Sequence, residues 1–128
     1  MKNQAIKPTE SELEVLQILW EFGPSTVRFI NDRLKRDKKV GYTTTLKIMQ
    51  IMTEKGMLSR DTEKKTHIYS SLISQKDAQQ QMLDKLLNTV FGGSAQKLVL
   101  QALGNHKSTK KELEEIKKII SEMEGGDE

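Results

Sequence analysis

Thr43, Thr44 and Thr45 follow Tyr42 in direct succession, and Lys47 stands two residues further on. Thr is β-branched and costs up to ~0.7 kcal/mol per helix position relative to Ala. Even so, Leu46 to Lys55 has the pattern of an amphipathic helix, and Gly56 supplies the residue just past its end. Hydroxyls in a helix's first turn can hydrogen-bond base edges or phosphate oxygens, and a Thr methyl can pack on a thymine methyl. "YTTT" is therefore poor helix but good surface for a nucleic-acid groove. The plainer alternative is that Thr43 caps the helix while Thr44 and Thr45 are ordinary surface or packing positions. Lys47, one turn beyond, can reach a base edge or a phosphate, and Tyr42 can stack on sugar-phosphate or staple the helix start.

Cations gather around this segment. Residues 28–65 hold 11 Lys and Arg against 5 Asp and Glu, a net of +6, whereas the whole chain is only +3. Residues 74–128 are close to neutral, with 8 basic and 9 acidic side chains. A basic patch confined to one half points to a polyanionic partner for that half, although a merely solvated surface has the same composition. Arg28, Lys38 and Lys39 flank the Thr-rich helix and are candidate phosphate contacts. Arg60, Lys64 and Lys65 lie further along and are candidates for adjacent backbone.

Other chemistries find little support. There is no cysteine, hence no disulfide, thiolate metal site or Cys nucleophile. His67 and His106 are the only histidines and are far apart in sequence, so neither a metal site nor an acid–base pair is evident. The carboxylates of "ESELE" fit a solvated helix face that complements the helix dipole better than a catalytic pair. No Gly-rich phosphate loop follows a strand. No catalytic residue, metal ligand or cofactor is expected.

The elements that must position these groups can be read in order. "TESE" at 9–12 is a capping box, with Thr9 and Glu12 as its partners, and Leu13, Leu16, Leu19 and Trp20 recur at helical spacing until "GP" at 23–24. Ser25 is the next N-cap candidate, before a short helix with Val27, Ile30 and Leu34 on its buried stripe. "KRDKKVG" connects it to a third helix over about 42–55. "MLSR" and "THIYSS" are short β-compatible runs around the polar tip "DTEKK", which is a hairpin pattern. Three short helices followed by a charged hairpin is the order of a winged helix-turn-helix.

The second half changes character. Ser74 caps a helix whose apolar stripe runs through Met82, Leu83, Leu86, Leu87, Val90 and Phe91, and "GGS" at 92–94 breaks it. Ser94 restarts a helix carrying Leu98, Val99, Leu100 and Leu103. Thr109 and Glu112 form a second capping box ahead of Leu113, Ile116, Ile119, Ile120 and Met123. Three short helices cannot easily build a core of their own. A homodimer in which two copies share these stripes is expected, with Met82, Leu83, Leu86, Leu87, Val90, Leu98, Leu103, Ile116 and Ile120 at its interface. The fold expected is mostly α. Residues 1–73 form a winged helix-turn-helix domain with a small β-hairpin wing, and residues 74–128 form a three-helix dimerisation region.

Four segments carry a resemblance: "SELEVLQILWEFG" (11–23), "YTTTLKIMQIMTEKGMLSR" (42–60), "HIYSSLIS" (67–74) and "FGGSAQKLVLQAL" (91–103). Together they resemble the penicillinase-repressor family, the BlaI/MecI/CopY-like repressors, over residues 7–123. The resemblance implies a bacterial dimeric winged-helix repressor that binds palindromic operators. In some members, a membrane-sensor pathway leads to cleavage of the repressor. β-Lactam-responsive members are cut at an Asn-Phe bond within the Leu-Val-Leu helix, where this chain has Gln101-Ala102. Copper-responsive members carry a C-terminal cysteine cluster, which this chain lacks. The scissile dipeptide is missing and the copper mechanism is removed, so the inducing signal, an upstream sensor or protease and the part played by cleavage stay open.

The expected function is thus a transcriptional regulator, a repressor. It binds inverted-repeat double-stranded DNA as a homodimer through the helix at 42–55 and the wing at 61–65. The alternative is a winged helix used only for protein interaction, which would not need cations concentrated on the third helix and wing. No apolar run approaches the ~18 residues of a membrane span, and "MKNQAIKPTESE" has no apolar segment of a secretory signal. A cytoplasmic protein without membrane insertion is expected.

Overall fold

The computed structural model describes residues 7–34, 40–105 and 107–125. Helix α1 spans Glu10–Phe22 and opens on the expected capping box. Glu12 N donates to Thr9 Oγ1 at 3.2 Å, and Thr9 N donates to Glu12 Oε1 at 2.9 Å. The helix stops at Gly23, whose φ of 85° favours glycine.

Helix α2 spans Val27–Leu34. Its cap is Thr26, which accepts from Phe29 N at 3.1 Å, and not Ser25 as the sequence suggested. Ser25 is claimed by the sheet instead. Its N–H donates to Tyr69 O at 3.0 Å and its carbonyl accepts from Tyr69 N at 2.8 Å, a one-residue bridge beside the hairpin.

Helix α3 spans Tyr42–Glu54, with Gly41 as an N-cap that offers no side chain. It ends in a Schellman motif: Met57 N donates to Met52 O at 2.9 Å, Gly56 N donates to Thr53 O at 3.1 Å, and Gly56 takes a φ of 85°. Strands β1 (Leu58–Asp61) and β2 (Ile68–Ser71) pair antiparallel, Leu58 opposite Ser71 and Arg60 opposite Tyr69. Three helices followed by this hairpin make a winged helix-turn-helix.

One apolar core holds these elements. Val15, Leu16 and Leu19 from α1 meet Val27 and Ile30 from α2, Met49 and Met52 from α3, and Leu58 and Tyr69 from the hairpin. Side chains of this size each contribute roughly 1.5–3 kcal/mol when fully buried. Trp20 packs partly against the core, and its Nε1 donates to Ile73 O at 2.8 Å, tying α1 to the chain just past the wing.

Helix α4 spans Gln75–Thr89 and is capped by Ser74, whose Oγ accepts from Asp77 N at 3.0 Å. Two compact units, Met1–Leu83 and Asp84–Glu128, divide the chain, and α4 crosses from one to the other. Its start belongs to the first core through buried Ala78. Helices α5 (Ala95–Asn105) and α6 (Lys110–Gly125) begin at Ser94 and at the Thr109–Glu112 capping box. Neither has a buried residue. Gly92 and Gly93, at φ 59° and 83°, make the turn between α4 and α5.

Candidate nucleic-acid interface

A helix packed along one side shows its other side to solvent. On α3 the inward positions are Thr45, Met49 and Met52, spaced i, i+4, i+7. That register turns Thr43, Thr44, Lys47 and Gln50 outward. Two of the three consecutive threonines therefore lie on the candidate surface and the third does not. Thr45 is fully buried, and its Oγ1 lies 2.7 Å from the side chain of Asn31 on α2. The expectation that Thr45 contacts DNA is thus corrected: about 100° of helical rotation per residue carries it away from the face of Thr43. Gln50 shares this face, and a pattern centred on the threonines does not single it out. It follows Thr43 and Lys47 at i+7 and i+3, and a side-chain amide can pair with the N6/N7 edge of adenine.

Arg28 and Tyr42, both exposed, meet across the helix-turn-helix, with the Arg28 guanidinium carbon 5.2 Å from the centroid of the Tyr42 ring. This cation–π contact places a planar cation at the start of α3. Arg60 is exposed on β1, and Lys64 and Lys65 are exposed on the tip between the strands, beside exposed His67. Asp61 Oδ1 accepts from Glu63 N at 3.0 Å and shapes the first bend of that tip. Lys38 and Lys39, also expected at the interface, lie outside the described residues, as does His106.

Two basic side chains of the segment serve the fold. Lys55 Nζ sits 2.8 Å from Glu12 Oε2. Glu12 is 5% exposed, so the solvated face expected for "ESELE" does not include it. The Arg33 guanidinium lies over Phe29 at 3.6 Å and over Phe22 at 4.4 Å, and the two rings meet edge to face at 5.4 Å. Among the described residues, no group of His, Asp and Glu could hold a metal ion.

The geometry defines a class, a winged-helix protein whose third helix and wing present exposed hydroxyls, an amide and cations. The sequence profile of the penicillinase repressor family matches residues 8–122. The penicillinase repressor of Staphylococcus aureus is 24% identical over 96% of this chain and 98% of its own. The methicillin resistance regulatory protein MecI of Staphylococcus aureus strain N315 is 23% identical over 94% of this chain and 98% of its own. Among solved structures, the transcriptional regulator BldR from Sulfolobus solfataricus is 21% identical, covers 86% of this chain and 73% of its own, and superposes with a TM-score of 0.42. The chain belongs to the penicillinase repressor family. It is a DNA-binding transcriptional repressor, not an enzyme.

Proposed function

We propose that the protein binds an inverted-repeat operator as a homodimer, with α3 in the major groove and the wing at residues 61–65 on the neighbouring backbone. The observation that carries this reading is the two-faced character of α3. Its inner face is locked into the core by Met49 and Met52, while Thr43, Thr44, Lys47 and Gln50 stand free on its outer face. A rigid helix with short polar side chains in its first turn suits base readout. Arg28, Arg60, Lys64 and Lys65 suit phosphate contacts, which give affinity and salt dependence but no sequence preference.

The dimer is proposed from residues 74–128. On α4, Met82, Leu83, Leu86 and Val90 are exposed, as are Val99, Leu100 and Leu103 on α5 and Ile119, Ile120 and Met123 on α6. Leu87, Leu98 and Ile116 are half-buried. Leu86, Val90, Phe91 and Leu100 line an open, largely apolar cleft within the second unit. Exposed apolar stripes repeated on short helices suit coverage by a second copy of the chain. The protein is proposed to act in the cytoplasm; among the described residues, no helix is long and apolar enough to cross a membrane.

Selection of bound DNA from a random library tests the reading. It predicts an enriched inverted repeat, and affinity that falls steeply with salt. A protein-interaction module would enrich no sequence and bind mixed DNA no better at low salt than at high salt.

A further inference from the structure

The inner face of the first turn of α3 is polar where an apolar contact would fit. Asn31 on α2 is 3% exposed and Thr45 on α3 is 0% exposed. With its NH2 turned toward α3, the Asn31 amide donates to Thr45 Oγ1 at 2.7 Å, to Val40 O at 3.0 Å and, more weakly, to Gly41 O at 3.3 Å. That orientation follows from the chemistry, because the opposite one sets the amide oxygen against carbonyl oxygens.

A buried amide and hydroxyl must give up hydration, and an apolar pair of the same shape can be equally stabilising. What the polar pair adds is direction. Val40 and Gly41 lead into Tyr42, and Gly41 brings no side chain with which to cap α3. Asn31 therefore fixes from α2 the entry of the chain into α3. Through Thr45 it also fixes the rotation of the turn whose outer side carries Thr43 and Thr44. Hydrogen bonds are angle-dependent in a way that apolar packing is not.

We propose that Asn31, acting through Thr45 and the carbonyls of Val40 and Gly41, is a positioning residue for base readout. It sets how Thr43 and Thr44 meet the groove, and so governs discrimination between DNA sequences more than binding as such. This rests on the DNA-binding reading of α3.

The test uses the full chain and two probes: the DNA that the wild-type protein selects from a random library, and random DNA of equal length. Thr45→Val keeps the shape and removes the hydroxyl. Thr45→Ser keeps the hydroxyl, and Asn31→Leu removes the amide. All are measured well below their melting temperatures. Thr45→Val and Asn31→Leu should each lose about tenfold or more in the ratio of selected to random affinity, comparable to weakening one good base contact, while affinity for random DNA stays nearly constant. Thr45→Ser should keep most of the ratio. If Thr45→Val folds and keeps the wild-type ratio, the pair serves packing alone and the proposal is wrong. Equal losses on both probes also overturn it. A wild-type protein that enriches no sequence brings down the DNA-binding reading itself, and this positioning role with it, before any variant is made.

Discussion

Lys55 Nζ, at the C-terminal end of α3, lies 2.8 Å from Glu12 Oε2 in the first turn of α1. The same carboxylate accepts from Thr9 N at 2.9 Å, so one buried side chain both caps its own helix and anchors the far end of α3. Burial pushes the Glu12 carboxyl up. The Lys55 hydrogen bond, the Thr9 N–H and the Lys55 charge together outweigh that and hold it below its usual value of 4.5.

A carboxyl with a lower pKa in the folded state than in the unfolded state stabilises the fold fully above the unfolded value. The contribution fades as pH falls through the folded value. Stability to urea should therefore decline from about pH 4.5 downward, and Glu12→Gln, which cannot ionise, should decline less steeply there. Urea midpoints measured across that range check this. Parallel declines for the two proteins would mean that the ion pair has no part in acid sensitivity.

Much of this fold is legible in the sequence because capping and periodicity are local. Thr9 with Glu12, Ser74, Ser94, and Thr109 with Glu112 all cap where their spacing suggests. Ser25 and Thr26 are equally good caps by type. What decides between them is the pairing of Ser25 with Tyr69, a contact across 44 positions that no local pattern contains. The inward turn of Thr45 is encoded in its i+4 and i+7 spacing to Met49 and Met52, although three identical residues in a row carry no period of their own. Burial of Asn31 and of Glu12 was not legible, since both types are commonest on surfaces and each depends here on a partner from another helix.

Contacts on α3 and on the wing should separate in solution. Thr44→Ala should weaken preference at one base position by ~1–3 kcal/mol while leaving affinity for random DNA unchanged. Lys64→Ala should weaken all sequences alike and lower the salt slope of binding by ~1. Competition binding at several salt concentrations reads both effects. Equal loss on specific and random DNA for Thr44→Ala would remove that residue from base readout.

Exposed Leu86 and half-buried Leu87 on α4 offer a test of the assembly. Replacing both by glutamate should convert a dimer to monomers at micromolar concentration. The winged-helix core, which ends at Ala78, should stay folded. Sedimentation equilibrium and far-UV circular dichroism check the two statements separately. A wild-type protein that sediments as a monomer would end the dimer proposal.

On the proposed reading, dimerisation through the C-terminal helices lets two copies of α3 read one inverted repeat. For a symmetric pair, the half-site centres should fall about one helical turn apart, ~34–36 Å, or a multiple of it. The most direct measurement is a footprint of the selected DNA with the intact chain and with a fragment ending at Phe91. The fragment retains every buried core residue but lacks α5 and α6. The intact protein should protect both half-sites together, and the fragment should protect them only at much higher concentration and independently. Protection of the whole repeat by the fragment at the same concentration as the intact chain would contradict this, because α5 and α6 would then have no part in operator binding.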